Sequence, residues 1–193
     1  MISRWDKVEA NSFRISADLL AFDSFRATSV AQLLGVLYRA IADLELQARA
    51  QPNQAFGPGA VYDFLKTLRD LLASATKTIF IIDPYLDEQI FDAYLSTVSP
   101  QVTVRVLARN YAAALKPAVA KFVAQKKMAV EIRSSKSLHD RVLFLDDRSC
   151  WVLGQSINDA AKAKPTYLAP LASDAVVLKK ADYERIWAAA SAI

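Results

Sequence analysis

The sequence predicts an α/β fold with a mixed, largely parallel sheet and helices on both faces, preceded by an N-terminal helical segment. The main observation is that short runs rich in β-branched and aromatic residues alternate with amphipathic segments of helical period between residues 60 and 134. This alternation is typical of strands that are buried on both faces and connected by helices. The second observation is size, because 193 residues, of which 53% are hydrophobic, suffice for one sizeable core.

The first part of the chain has a helical pattern only. Behind the helix-capping pair Thr28 and Ser29, large apolar residues recur close to a 3.6-residue period, as Leu33, Leu34, Leu37, Ile41, Leu44 and Leu46. This segment is an appendage that either covers the sheet or binds a protein partner. The stretch QPNQAFGPGA then brings two prolines and two glycines into ten residues, which indicates a break. We therefore expect an N-terminal helical segment over residues 1–55 and an α/β domain over residues 56–193.

The elements after the break follow in a regular order. The predicted helices are AVYDFLKTLRDLLASA, DEQIFDAYLSTV and YAAALKPAVAKFVAQ, and each precedes a strand, namely KTIFIID, QVTVRVLA and MAVEIRS. The short strands RVLFLD and SCWVLG are close enough to pair as a hairpin through Asp146, Asp147 and Arg148. A last strand in SDAVVLK and a helix in ADYERIWAAASAI complete the prediction.

Charge and composition restrict the partners and the compartment. The net charge is +4, but residues 101–150 carry ten Lys and Arg against four Asp and Glu, whereas residues 1–100 carry nine against twelve. A basic half favours phosphate-bearing partners, although the lysines of LKPAVAKFVAQKK also fit the solvated face of a helix. The sequence shows no transmembrane segment, no apolar leader and a single cysteine, Cys150. We therefore expect an unexported, cytoplasmic protein.

Polar residues end the first three predicted strands, at Asp83, Arg109 and Arg133. Because the carboxyl ends of parallel strands meet at one edge of a sheet, we expect these side chains to lie there together with His139. Two arginines, an aspartate and a histidine at one edge predict a phosphate-binding pocket. The competing interpretation is an ion-pair network without a ligand.

The only histidine of the chain, His139, stands two residues before Arg141 at the start of a predicted strand. Side chains alternate along a strand, so we expect both on one face, where they can contact one ligand. Neutral imidazole can attack phosphorus or transfer a proton, and a guanidinium donates a fork of hydrogen bonds to phosphate oxygens. Ser156 and Asn158 repeat this spacing after Gly154 and add hydrogen-bond donors. The alternative for His139 is a structural or surface histidine.

Counting excludes several other kinds of site. One histidine and one cysteine cannot form a zinc site with the usual ligands within one chain, so no metal is expected. None of the four glycines stands in a G-x-x-x-x-G-K or G-x-G-x-x-G pattern, and no G-x-S-x-G elbow occurs. We therefore expect side chains rather than a glycine loop to bind phosphate, and no cofactor.

The segment that begins at His139 resembles the signature of the phospholipase D superfamily, H-x-K-x4-D followed by G-S-x-N. The stretch IFIIDPYLDEQI is similar to the first strand and helix of compact phospholipase D-like domains, and the resemblance runs from about residue 58 to the C-terminus. It implies that the catalytic positions of the motif are filled by His139, Asp146, Ser156 and Asn158.

Two departures from the family pattern affect this assignment. Arg141 stands where the family has a lysine, which keeps the charge but changes the reach and geometry of the side chain. The gap between Asp146 and Ser156 is also longer than in the pattern, and Gln155 separates Gly154 from the serine. The aspartate position therefore also fits Asp147.

Active members of the family need two such motifs, and the resemblance to single-motif nucleases implies that this chain provides them as a homodimer. In the family mechanism one histidine attacks phosphorus to give a phosphohistidine, and the other protonates the leaving oxygen without a metal. The resemblance thus implies a metal-independent phosphodiesterase or nuclease that acts on nucleic acid or another phosphodiester.

Two other functions stay open. The HDR variant also resembles the phospholipase D-like domain at the C-terminus of proteins with a microtubule-interacting-and-trafficking domain, which is a lipid-binding module without catalysis. This resemblance implies a non-catalytic module that recognises a lipid headgroup, a nucleotide or a nucleic acid through Arg109, Arg133 and Arg141. The third possibility is an interaction or sensor protein that works through its N-terminal helices.

Overall fold

The computed structural model describes residues 7–49, 53–109 and 112–193, and the chain divides between residues 51 and 52 into two compact units. The first unit is a pair of helices, α1 (Lys7–Leu19) and α2 (Asp23–Arg49). Ser16 Oγ donates to Gln32 Oε1 at 2.8 Å, and Arg39 pairs with Glu9 at 2.9 Å between Nη2 and Oε1. Glu9, early in α1, contacts Arg39, whereas Ser16, later in α1, contacts Gln32, which comes earlier in α2. The two helices are therefore antiparallel.

The second unit is a single eight-stranded sheet with four helices among its described residues. The strands are β1 (Gln54–Phe56), β2 (Thr78–Ile82), β3 (Thr103–Ala108), β4 (Val130–Ser134), β5 (Val142–Leu145), β6 (Ser149–Leu153), β7 (Thr166–Pro170) and β8 (Ser191–Ala192). The helices are α3 (Val61–Ala73), α4 (Gln89–Ala93), α5 (Ala112–Lys126) and α6 (Ser173–Ala189), with a 3-10 turn at Leu95–Thr97. None of the described helices combines the length and the apolar character needed to cross a bilayer.

The sheet is mixed, with strand order β1-β7-β6-β5-β2-β3-β4-β8. The pairs β2–β3 and β3–β4 are parallel, whereas β5 pairs antiparallel with both β2 and β6, and the remaining pairs are also antiparallel. The predicted α/β class with a mixed sheet is therefore confirmed, and its parallel part is the β2–β3–β4 centre. Because β1 pairs with β7, the predicted domain boundary after residue 55 falls inside a strand of the sheet.

Helices cover both faces of the sheet, as expected for strands that are apolar on both sides. One core packs α3, α4 and α5 against alternate strand residues such as Ile79, Val104 and Leu143. The other core packs α6 against the intervening positions, which include Phe80, Leu107 and Phe144. Since side chains alternate between these two cores, the face of any strand residue follows from its neighbours.

One predicted strand near the C-terminus is wrong, and another strand there was not predicted. SDAVVLK, predicted as a strand, forms the first two turns of α6. Its β-branched run favoured a strand, but Val176, Tyr183 and Trp187 recur at helical spacing and all bury against the sheet, so tertiary packing overrides local propensity. The strand of this region is instead β7, at Thr166–Pro170, which the sequence analysis missed.

Candidate active site

The sheet edge at which the sequence predicts a phosphate-binding pocket is formed by the carboxyl ends of β2 and β3. Asp83 directly follows β2, and the backbone N–H of Arg109, just after β3, donates to the Pro84 carbonyl at 3.3 Å between N and O. Since β5 runs antiparallel to β2, the start of β5 lies at this same edge. The Arg141 carbonyl accepts from Leu153 N–H at 3.0 Å, which brings the end of β6 and the following loop to it as well.

Asp83 is buried and contacts the loop after β6, and it is not among the residues that line the cavity at this edge. Its carboxylate is 1% exposed and accepts hydrogen bonds from Ser156 Oγ at 2.9 Å, Ile157 N at 2.8 Å and Tyr85 N at 3.0 Å. Burial raises the pKa of Asp83 and outweighs these hydrogen bonds and the nearby Arg141 charge, which lower it. The hydrogen bonds that Asp83 accepts from Ser156 and Ile157 therefore hold the loop after β6 in place.

Arg141 is the cation at the centre of the edge. Its guanidinium carbon lies 5.6 Å from the centre of the Tyr85 ring, and its Nε is buried without a hydrogen-bond acceptor in the described structure. It lines an open cavity of about 260 Å³ together with Tyr85, Gly154, Gln155, Ser156 and Asp159. The amide oxygen of Gln155 is likewise buried without a donor, so two unsatisfied polar atoms belong to the residues of one cavity.

Gly154 allows the loop after β6 to pack closely against Tyr167 of β7. A Cβ at this position would come within 2.8 Å of the Tyr167 ring, so a larger residue would displace either the ring or the loop. The next residue, Gln155, donates its backbone N–H to Thr166 Oγ1 at 3.1 Å. The wall that carries Gln155 is thereby tied to β7.

His139 is exposed and lies on the same side of its segment as Arg141. Leu138 and Val142 pack in the core beneath α6, and Asp140 between them bonds to α6 through Lys179 Nζ at 2.5 Å and Tyr183 Oη at 3.0 Å. The alternation therefore places His139 and Arg141 on the side of this segment that is opposite to α6. The Lys179 hydrogen bond holds the pKa of Asp140 below its usual value, against the opposing effect of burial. Asp140 thus fixes the segment that presents both residues.

Arg133 is not available to a ligand at this edge. It lies opposite Leu107 on the face of α6, where its Nη1 donates to the Trp187 carbonyl at 2.9 Å. Its guanidinium also pairs with Glu131 and lies 4.6 Å from the centre of the Trp187 ring. The sequence placed Arg133 at the correct strand end, but side-chain alternation turns it to the other face of the sheet.

The other predicted polar residues are divided between the edge and more distant positions. Asn158 lies at the edge and donates its amide to the Tyr85 carbonyl at 2.8 Å, and Arg109 is exposed after β3, where its backbone N–H bonds to Pro84. Asp146 lies at the opposite end of β5, where Thr76 Oγ1 and the backbone N–H groups of residues 76–78 donate to its carboxylate at 2.7–3.1 Å. The structure therefore does not bring Asp146 to the cavity. The alternative, Asp147, is in the same distant turn and pairs with Lys180.

Sequence reasoning missed Tyr85 and Gln155. Tyr85 follows Asp83 in the IIDPY turn, so its place after a strand end was a usable signal. The family pattern accounts for Gln155 only as an insertion between Gly154 and Ser156. A neutral amide gives no charge or motif signal, and only the fold shows that it lines the cavity.

Comparisons with known proteins support the same fold. No protein-family model and no curated protein matches this sequence. Among solved structures, NucT from Helicobacter pylori is similar with a TM-score of 0.57 and 15% identity, over 74% of this chain and 99% of NucT. Nuc from Salmonella typhimurium, a phospholipase D family member, has a TM-score of 0.53 and 13% identity, over 74% of this chain and 97% of Nuc.

A third similar structure reaches further along the chain. The archaeal chromatin protein TrmBL2, whose structure shows a mode of DNA binding, has a TM-score of 0.53 and 17% identity, over 91% of this chain and 69% of TrmBL2. At these identities the likeness concerns the fold. The α/β unit of this chain has the phospholipase D-like fold.

Proposed function

We propose that the cavity beside Arg141 binds a phosphate group of a phosphodiester, and that His139 acts on that phosphate as a metal-independent nucleophile. The observation that carries this proposal is that Arg141 lines an open cavity while its Nε has no acceptor in the described structure, on the same side of its segment as the only histidine of the chain. A guanidinium that its own protein leaves partly unpaired gains charge-assisted hydrogen bonds when a phosphate group enters the cavity.

The reaction has two steps. An imidazole nitrogen of His139 forms a bond to phosphorus while the bond from phosphorus to the leaving oxygen breaks, and Arg141 neutralises the charge of the phosphate oxygens. A general acid protonates the leaving oxygen. Water then attacks the phosphohistidine, which releases a phosphomonoester and regenerates the imidazole.

The family mechanism takes the general acid from a second histidine, and because this sequence holds one histidine, we assign that role to the partner's His139. A two-fold axis that brings two cavities together supplies both roles, since each His139 then faces the phosphate bound by its mate. The proposed enzyme is therefore a homodimer, and its substrate class is nucleic acid or another phosphodiester. The names of NucT and Nuc and the phospholipase D-like fold support this class.

A non-catalytic phosphate-recognition module is the second candidate, and a specific observation favours it. Arginine in place of the family's lysine provides a fixed fork of donors, which suits the binding of phosphate more than the movement of a proton. Exposed Arg109 adds charge at the same edge. TrmBL2, which is described by its DNA binding, has a related fold without being named as an enzyme.

Turnover and binding measured together separate the two candidates. Wild type, His139→Ala and Arg141→Lys are assayed in EDTA on single-stranded DNA, RNA and bis-p-nitrophenyl phosphate, and light scattering gives the mass relative to twice 21.3 kDa. The enzyme requires turnover that His139→Ala abolishes while phosphate affinity is kept. A wild-type protein that binds but does not turn over any of these substrates is a recognition module. A strict monomer contradicts the two-histidine mechanism.

A further inference from the structure

Helix α2 carries a row of large aliphatic side chains that α1 does not cover. Successive members are four and three residues apart, and each exposes between 40% and 52% of its surface: Val30, Leu34, Leu37, Ile41 and Leu44. We call these five residues the α2 seam. Alternating spacings of four and three are the spacing of the a and d positions of a coiled coil.

The seam is distinct from the face of α2 that contacts α1. That face includes Ser29 and Val36, both buried, and it is held by the Ser16–Gln32 hydrogen bond and the Arg39–Glu9 pair. Val30 directly follows Ser29, and Leu37 directly follows Val36, so the two rows run side by side along the helix. The packing of α1 on α2 therefore leaves the more hydrophobic row of α2 uncovered by α1.

We propose that the α2 seam is covered by the α2 seam of a second copy of this chain. A seam of this spacing is complementary to itself, because a and d side chains of one helix pack between those of an identical helix. The flanking positions between residues 31 and 40, namely Ala31, Leu33, Tyr38 and Ala40, carry no charge, so no like-charge repulsion opposes the pairing of identical helices along this part of the seam.

Further exposed apolar residues enlarge the surface that such a dimer would bury. Tyr38, 68% exposed, lies next to the seam and extends it, and Phe22 and Phe25 add exposed rings near the start of α2. Contiguous apolar patches larger than about 300–600 Å² are uncommon on monomers, and about 800 Å² per partner suffices for a stable interface. Two helix pairs that meet along this seam form a four-helix arrangement, which is a stable way to bury such a row.

Cysteine protection tests the seam directly, because the native Cys150 is buried and Leu37→Cys introduces an exposed thiol in the seam. We expect alkylation of Cys at position 37 to slow at least tenfold as the protein concentration rises through the dimer transition seen by light scattering. The matched control is Ala42→Cys, on an exposed position outside the seam, whose alkylation rate is expected to stay constant.

Charge substitution provides the second measurement on the full chain. Leu34→Glu with Leu37→Glu is expected to raise the dimer dissociation constant at least 100-fold, whereas Leu178→Glu, at a residue 72% exposed on α6, leaves it unchanged. Protection of position 37 distinguishes a dimer that pairs through the seam from one that forms only through the two cavities. A wild-type monomer, or a dimer in which position 37 alkylates as fast as position 42 at all concentrations, overturns the proposal.

Discussion

The two ends of strand β5 carry the two charged positions of one motif and use them in opposite ways. At the end of the strand, the Asp146 carboxylate accepts hydrogen bonds from the hydroxyl of Thr76 and from three successive backbone N–H groups. At its start, the Arg141 guanidinium keeps a buried Nε without an acceptor and lines an open cavity. The satisfied end stabilises the fold, and the unsatisfied end is left for a ligand.

The largest effect is expected at the satisfied end. Asp146→Ala leaves its N–H donors without an acceptor and puts alanine at a φ of 52°, so we expect unfolding to become easier by about 2–3 kcal/mol. Urea denaturation measures this loss, and Asp147→Ala in the same turn is the control, with less than half the effect. Phosphate binding should persist wherever the variant is folded. Loss of binding in a folded Asp146→Ala protein would break the separation of the two ends.

The second effect is on binding and belongs to the other end. Arg141→Ala is expected to weaken binding of inorganic phosphate or a phosphodiester by about 1–3 kcal/mol, because a charge-assisted contact is lost. Its urea midpoint should change little, since no hydrogen bond within the described protein depends on Nε. Arg148→Ala removes an exposed guanidinium from the far end of the hairpin and serves as the control for net charge. Equal losses in both variants would mean that only the overall positive field attracts the ligand.

A smaller effect is expected from the residue between His139 and Arg141. Asp140→Asn weakens the bonds to Lys179 and Tyr183 that fix this segment on α6. Because the ion pair is partly exposed, we expect a stability loss of about 1 kcal/mol or less, with turnover or affinity reduced several-fold. Lys179→Met, which removes the same ion pair from α6, should reproduce the result. A fully active Asp140→Asn protein would show that the segment is positioned by other contacts.

The smallest effect concerns pH, where the two aspartates have opposite signs. The pKa of Asp146 is lowered, because its hydrogen bonds outweigh burial, so its contribution to stability is present above the unfolded pKa of about 3.9 and is lost as pH falls through the folded pKa. The pKa of Asp83 is raised by burial, so its ionisation costs stability as pH rises from the unfolded to the folded pKa. Relative to wild type, Asp83→Asn should gain stability as pH rises, and Asp146→Asn should approach wild type as pH falls. Urea midpoints across acidic pH that change in the same direction for both variants contradict this assignment.

Much of the Arg141 end of β5 could be predicted from the sequence, because strand ends and period-2 alternation are local properties. The strands that end at Asp83 and Arg109, the hairpin of β5 and β6, and the common side of His139 and Arg141 all follow from residues within a few positions of one another. The separation of Asp146 from Arg141 could also be predicted from the sequence. Five residues along a strand at about 3.3 Å each separate it from Arg141 by the length of β5, so both cannot contact one phosphate.

What could not be predicted depends on contacts between distant parts of the chain. Arg133 is held by Trp187, and the face on which α6 packs is not a local property of β4. The burial of Asp83 depends on Ser156 and Ile157, which reach it only after β6 has paired with β5. The motif nevertheless named Ser156 as part of the site. Its role differs, because its hydroxyl donates to a carboxylate beneath the cavity.

The central claim is that a phosphate group binds to the Arg141 guanidinium in the cavity, and the Nε–H resonance of this side chain tests it most directly. In ¹⁵N-labelled protein, assigned through Arg141→Lys, titration with inorganic phosphate or a dinucleotide should shift this resonance and slow its exchange with water. The Nε–H of Arg133, already donated to Glu131 at 2.8 Å, should not change. If the Arg141 resonance stays unchanged while ligand binding saturates, the phosphate is bound elsewhere and the account is contradicted.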